Sequence, residues 1–140
     1  MGKAQFRFTF LVGLLLASIT SLSAQAEKSY HQSLPIDDAK KIVVQVADNI
    51  EIIPWMGNTI LVETKVQLTN ANIDVLNYIV KQGRYDVAIE KDDTVLRIVS
   101  KNPTRAPIRI KNVDCFETVT VKIFVPEEFK AVRANELEMK

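Results

Sequence analysis

The stretch Ile60-Leu-Val-Glu-Thr-Lys-Val-Gln-Leu68 carries the longest regular alternation in this chain of 140 residues. Nearly every second side chain is apolar, and most of the residues between them are polar. A period of two is typical of a β-strand with one buried face, because successive side chains point to opposite faces of a sheet. The sequence therefore predicts a core built from strands.

The same alternation recurs on both sides of this stretch. It predicts about seven strands, at residues 40–46, 50–54, 60–68, 85–89, 95–99, 108–110 and 119–125, with Val132 starting a further short one. Turn residues separate them, so we expect one hairpin across Trp55–Asn58 and another across Lys91–Thr94. The predicted fold class is mainly β, an antiparallel or solenoid-like sheet domain.

One helix is expected near residues 71–82, where the two-residue period breaks. Ile73, Leu76 and Val80 recur at helical spacing. Asn70 or Asn72 can cap its start, and Gly83 can take the left-handed conformation that ends a helix. The expected domain is thus strands on both sides of a single helix.

The first 26 residues have the pattern of a cleaved signal peptide. Lys3 and Arg7 precede an apolar run from Phe8 to Ile19, and Ala24-Gln25-Ala26 supplies the small residues at which a signal peptidase cuts. A spanning helix needs roughly 20 apolar residues, more than this run contains. We expect cleavage after Ala26 and export to the periplasm or beyond.

The rest of the chain divides simply. Residues 27–35 lack periodicity and are predicted to be a flexible N-terminal segment, and residues 36–140 a single β-rich domain. Removing Lys3 and Arg7 from the 18 basic residues leaves 16 against 17 acidic ones, a net charge of about −1. That balance gives no reason to expect nucleic acid as a partner. The sequence after residue 26 has no second long apolar run, so we expect no integral membrane segment in the mature chain.

Catalytic residue patterns are sparse. His31 is the single histidine and lies in the polar N-terminal segment, so a serine or cysteine triad is not expected. Acidic doublets such as Asp92-Asp93 point to opposite faces of an extended chain, which makes them poor pairs for glycoside hydrolysis or metal binding. We predict no enzyme activity, no cofactor and no metal. Cys115 has no partner for a disulfide and is expected to be buried.

Four residues are candidates for contact with a partner. Trp55 and Met56 lie at the tip of the first predicted hairpin, where an aromatic ring can bind a partner or fold back over the edge of the core. Arg105 and Arg109 belong to a basic stretch interrupted by prolines, which is either a solvated loop or an anion contact.

Two segments resemble a known family. Ile50-Glu-Ile-Ile-Pro54 followed by Gly57-Asn-Thr-Ile-Leu-Val62, and later Val119-Thr-Val-Lys-Ile-Phe-Val-Pro126, are similar to the secreted adhesin-like domains of bacteria, which are autotransporter-head-like and form β-solenoids. The resemblance implies stacked strands at about residues 36–132, with an unfinished stack that exposes a strand edge. The glycine- and serine-rich later rungs of that family are missing here.

These observations give three functional expectations. The first is an exported, non-enzymatic binding or structural module at the bacterial envelope, which pairs with itself or another protein through an exposed strand edge. The second is a soluble periplasmic protein that holds a small apolar ligand, which a cavity lined by apolar side chains would favour. The third is a hydrolase with two carboxylates across a cleft.

Overall fold

The computed structural model of the protein describes residues 24–140, so the predicted leader up to Ser23 lies outside the described residues. Eleven strands and one helix follow one another along this part of the chain. They are β1 (Gln25–Leu34), β2 (Lys41–Gln45), β3 (Asn49–Trp55), β4 (Ile60–Thr69), α1 (Ile73–Lys81), β5 (Val87–Asp92), β6 (Val95–Ser100), β7 (Ile108–Ile110), β8 (Val113–Cys115), β9 (Glu117–Pro126), β10 (Phe129–Arg133) and β11 (Glu136–Met139).

The strands form two main sheets and one short ribbon. Sheet A has the order β1-β4-β9-β3, sheet B has the order β10-β11-β2-β6-β5, and β7 pairs only with β8. The pairs β2–β6 and β3–β9 are parallel, and the other pairs are antiparallel. The prediction of a mainly β fold is confirmed, although the described residues form eleven strands and not about seven.

A single apolar core joins the two sheets. β4 supplies four nearly inaccessible side chains, and β2 and β6 supply matching ones from sheet B. These residues are Ile60, Val62, Val66, Leu68, Ile42, Leu96 and Ile98. Each aliphatic side chain of this size contributes about 1.5–3 kcal/mol when it is fully buried. The strand predicted from the alternation at residues 60–68 is therefore confirmed, and one of its faces is buried in the core.

The predicted helix is confirmed as α1. The side chain of Asn72 accepts a hydrogen bond from the backbone N–H of Val75 at 3.0 Å and caps the first turn. Gly83 follows the helix with a φ of +78°, in the left-handed region that favours glycine. Leu76 is buried, and Lys28 Nζ donates to Asn77 Oδ1 at 2.7 Å, so the helix packs beside β1.

One of the two predicted hairpins is wrong. The pair β5–β6 forms around a tight turn in which Asp93 has a φ of +55°, as expected. β3 and β4 do not pair, however, because β9 lies between them and bonds to both. The inward side chains of β9 alternate as regularly as those of β3 and β4. Periodicity identifies the buried face of a strand but not its neighbour, which is why the sequence did not predict β9 between them.

The N-terminal segment also differs from its prediction. Residues 27–34, expected to be flexible, belong to β1, which pairs with β4 along its whole length. The inward positions of β1 include Lys28 and Gln32, and these polar residues hide the period of two in the sequence. Ala26 and Leu34 at its ends are buried in the core. The domain predicted to begin at residue 36 therefore extends back to β1.

Candidate binding groove between two sheet edges

A groove of about 610 Å³ lies between one edge strand of sheet A, β3, and one edge strand of sheet B, β10. Its apolar lining is contributed by both sheets and includes Ile52, Pro54, Val125, Phe129 and Leu137. Its volume falls within the range of about 300–1,000 Å³ that is usual for ligand sites. The groove is thus an open channel with an apolar lining, on the side of the molecule where the two sheet edges meet.

The free edge of β3 presents backbone groups to this side. Glu127 N–H donates to Trp55 C=O at 3.1 Å, which shows that the backbone of Trp55 faces β9. Backbone groups alternate between the two sides of a strand, so those of Ile50, Ile52 and Pro54 face outward. Pro54 has no N–H, so the outward donors of this edge are the N–H groups of Ile50 and Ile52, and no further strand hydrogen bond can be donated from residue 54.

The free edge of β10 is built in the same way. Lys140 N–H donates to Glu128 C=O at 2.8 Å, so Glu128 and, two residues later, Lys130 face β11. The N–H and C=O groups of Phe129 and Ala131 therefore face outward. Glu127 bonds to the last residue of β3 and lies two residues before the start of β10. β9 runs parallel to β3, and the two-residue turn at Glu127 and Glu128 reverses the chain into β10, so the two edges run antiparallel along the groove.

The opposite side of the molecule is closed. There the side-chain amide of Gln32 on β1 bonds twice to the backbone of Val87 on β5, and Tyr30 Oη donates to Asp86 Oδ1 at 3.1 Å. Burial, with the negative charge of Asp86 next in importance, raises the pKa of the Tyr30 phenol. The phenol therefore stays a neutral donor, and the sheets are joined on this side while the groove side remains open.

Charged side chains line the rim of the groove unevenly. Lys130, Arg133 and Lys140 provide three cations, and Glu127 provides one carboxylate. An apolar floor with an excess of positive charge at its margin suits an occupant that is apolar on one face and acidic on the other.

Trp55 and Met56 lie next to this groove. They line a smaller hollow of about 250 Å³ together with Pro126, Glu127 and Glu128, and Glu127 is shared with the groove. The Trp55 indole N–H donates to Thr59 C=O at 2.9 Å, and its ring centroid lies 6.1 Å from that of Phe124. The ring thus folds back over the edge of the core, whereas Met56 is 92% exposed.

The two arginine candidates are elsewhere and differ from each other. Arg105 forms two hydrogen bonds with the Asp48 carboxylate, at 2.5 and 2.6 Å, and the two side chains are only 10% and 13% exposed. Arg109 pairs with Asp114 at 2.9 Å, and both side chains are 60% exposed. Of the four predicted contact residues, only Trp55 and Met56 lie near the groove.

A second polar cluster surrounds Glu117 at the start of β9. Arg84 donates to both carboxylate oxygens of Glu117, at 2.9 and 3.1 Å, and Tyr85 Oη donates to it at 2.7 Å. Burial opposes the charge on Glu117, but the hydrogen bonds from Arg84 and Tyr85 hold the pKa of this carboxyl below its ordinary value. Arg84 also donates to Ala106 C=O at 2.6 Å, so the cluster joins the segment before β5 to the loop after β6.

Neither a cluster of metal ligands nor an exposed thiol occurs among the described residues. That part of the chain contains no group of three His, Cys, Asp or Glu side chains arranged to hold a metal ion. Cys115 is buried, as predicted, and its Sγ lies 3.5 Å from the carbonyl oxygen of Asn70. Between residues 24 and 140, no helix is long and apolar enough to cross a membrane.

The groove was not predicted from the sequence as a site. Its β10 side, Phe129-Lys-Ala-Val-Arg133, has a short alternation that pointed only to a strand near Val132. The chain matches no known protein family, no curated protein and no solved structure.

Proposed function

We propose that the protein is an exported, non-enzymatic binding module of the bacterial cell envelope, adhesin-like in character, which binds an extended protein segment along the groove between β3 and β10. The observation that carries this proposal is the pair of unpaired strand edges on either side of an apolar channel. An added strand would bond to outward backbone groups and place alternate side chains into the channel.

The energetics favour an extended segment over a folded surface. Each added backbone hydrogen bond is worth about 0.5–1.5 kcal/mol net, and a strand beside β10 can form them with Phe129 and Ala131. The apolar floor then supplies affinity through every second side chain of the guest. The excess of cations at the rim selects guests whose other face is acidic.

A library of random dodecapeptides displayed on phage tests the proposal. We expect enrichment of peptides that alternate apolar and acidic residues, and at least about tenfold weaker binding of them to Ala131→Pro, because this change removes an outward N–H. Ala131→Trp, which keeps the backbone donor and fills the channel, should weaken binding similarly. Arg109→Ala is the matched control on β7 and should bind as the parent does.

The opposite result would be equally clear. If folded Ala131→Pro and Ala131→Trp bind the enriched peptides as tightly as the parent, or if a parent that is monomeric enriches no sequence, the groove is not a site for extended segments. Circular dichroism of each variant checks that the strands remain.

A small ligand is the second candidate, since the channel volume and its three cations also suit an amphiphile with an acidic head. Anilinonaphthalene sulfonate is a suitable probe. If this candidate is right, its fluorescence rises in the presence of the protein, and both Ala131→Trp and Arg133→Glu reduce that rise. A parent protein that leaves the probe dark would rule this candidate out.

Export itself has a direct test in N-terminal sequencing of the protein recovered outside the cytoplasm. We expect the first residue to be Glu27, with Gln25 and Ala26 removed from the start of β1. A first residue of Met1 in the recovered protein would contradict cleavage.

A further inference from the structure

The outer face of sheet A carries a row of alternating charge. In the strand register, His31, Glu63, Lys122 and Glu51 lie side by side across β1, β4, β9 and β3. His31 Nε2 and Glu63 Oε2 are 3.0 Å apart. Facing pairs of opposite charge stabilise neighbouring strands. The row ends at Glu51, beyond which the described residues place no further strand in the sheet, and a cation there would continue the alternation of charge.

The outer face of sheet B also carries a row of alternating charge, but the residue at its edge is a cation, whereas the residue at the β3 edge of sheet A is an anion. Lys130, Glu138 and Lys41 lie side by side across β10, β11 and β2. This row meets the free edge at Lys130. Because β3 and β10 flank the same groove, the molecule presents an acidic edge and a basic edge on one side.

We propose that the occupant of these edges is a second copy of this chain, with β3 of each copy paired antiparallel to β10 of the other. Glu51 then stands opposite Lys130 of the second copy and continues both charge rows without a break. This inference rests on the proposed function, since it names the partner of the same groove.

The backbone pattern permits this register. Glu51 and Lys130 both turn their backbone groups inward, toward β9 and β11, so they can form a pair without hydrogen bonds. Their neighbours then face each other with outward groups, Ile50 against Ala131 and Ile52 against Phe129. Each of these two pairs can exchange two N–H···O=C bonds, and the side chains of Ile52, Phe129 and Ala131 line the channel.

Charge also selects this pairing over the alternatives. Two β10 strands joined in the equivalent register would place Lys130 opposite Lys130, and two β3 strands would place Glu51 opposite Glu51. Like charges directly opposite each other destabilise a strand pair. A twofold axis along the groove forms both β3–β10 junctions at once, so the assembly closes as a dimer and leaves no free edge on that side.

Light scattering coupled to size exclusion tests the dimer, using the protein as a bacterial host exports it. We expect twice the mass of one chain. Glu51→Lys and Lys130→Glu should each weaken dimerisation about tenfold or more, because both junctions then oppose like charges. The double variant Glu51→Lys with Lys130→Glu should restore the dimer, and Lys101→Glu, an exposed charge reversal away from the groove, should leave it unchanged.

The outcomes separate this inference from the proposed function. A monomeric parent that still binds the enriched peptides would overturn the dimer and keep the groove as a site for another protein. A monomeric parent that binds no peptide would overturn both. A dimer that neither single charge reversal weakens would refute the β3–β10 register.

Discussion

The side chain of Gln32 takes the place of a neighbouring strand for Val87. Its Nε2 donates to Val87 C=O at 3.3 Å, and its Oε1 accepts from Val87 N–H at 3.1 Å. This amide joins the edge of sheet A to the edge of sheet B on the side opposite the groove. One long polar side chain thereby satisfies both outward backbone groups of Val87.

Gln32→Ala should lower the free energy of unfolding by about 1–3 kcal/mol, because it leaves a backbone donor and acceptor of Val87 without partners. Urea denaturation followed by circular dichroism measures this change. Gln45→Ala, at an exposed position at the end of β2, is the control and should stay close to the parent. A Gln32 variant as stable as this control would show that water replaces the amide without cost.

The Arg105–Asp48 pair should be far more important for stability than the Arg109–Asp114 pair. Arg105→Ala leaves the Asp48 carboxylate, whose side chain is only 13% exposed, without its partner, and we expect a loss of about 3–5 kcal/mol. Arg109→Ala breaks an ion pair whose side chains are both 60% exposed, and such pairs are worth about 0–1 kcal/mol. Equal losses for the two variants, measured by chemical denaturation, would contradict the burial of Arg105.

Acid should weaken the protein partly through Glu117. Because the folded state holds the pKa of this carboxyl below the ordinary value of 4.5, its contribution is complete above about pH 4.5. That contribution is lost as the pH falls through the lower pKa of the folded state. Glu117→Gln should therefore cost about 1.5–3 kcal/mol near neutral pH and less in acid.

Arg84→Gln tests the cause of this effect, since it removes the donor and keeps the carboxyl. The free energy of unfolding, measured between pH 7 and pH 3, should then depend less steeply on pH than in the parent. A slope unchanged in both variants would mean that other carboxyls determine the acid sensitivity.

Gly57 is needed for the position of the Trp55 ring. A Cβ at residue 57 would overlap the indole ring, so Gly57→Ala should push the ring away from Phe124 and toward water. Trp55 is the single tryptophan of the chain, and its fluorescence emission should shift to longer wavelength. Asn58→Ala changes the next residue without entering the ring and should leave the spectrum in place. An unshifted spectrum for Gly57→Ala would show that the turn, and not the ring, has moved.

Local periodicity predicted elements well and their partners poorly. The alternation at residues 60–68 and the helical spacing of Ile73 and Leu76 each depend on neighbours within one element. The position of β9 between β3 and β4 depends on paired residues from 49 to 71 positions apart, and no local pattern encodes that. β1 was missed because Lys28 and Gln32 occupy inward positions and make contacts visible only in three dimensions.

The candidate site was predictable only at one corner. The sequence predicted Trp55 as a contact residue because it is an aromatic residue beside a turn, and Trp55 does border the groove through the adjoining hollow. The sequence predicted Arg105 as a contact residue because it belongs to a basic run. Its partner Asp48 lies 57 residues earlier, so the pair is not visible as a local pattern. Composition shows that charges exist, whereas only the fold decides which of them neutralise each other and which remain at an edge.

The insertion of β9 between β3 and β4 also sets the order in which the protein can fold. The hairpins β5–β6 and β10–β11 link residues close in sequence and can form early. Sheet A must wait until residues 117–126 are available, because without them β3 has no partner and β4 has only β1. Closing loops of this length is slow. A chain interrupted before residue 117 would therefore leave β3 without a partner and one edge of β4 exposed. Exposed strand edges pair with other chains, so completion of synthesis is a condition for a soluble fold.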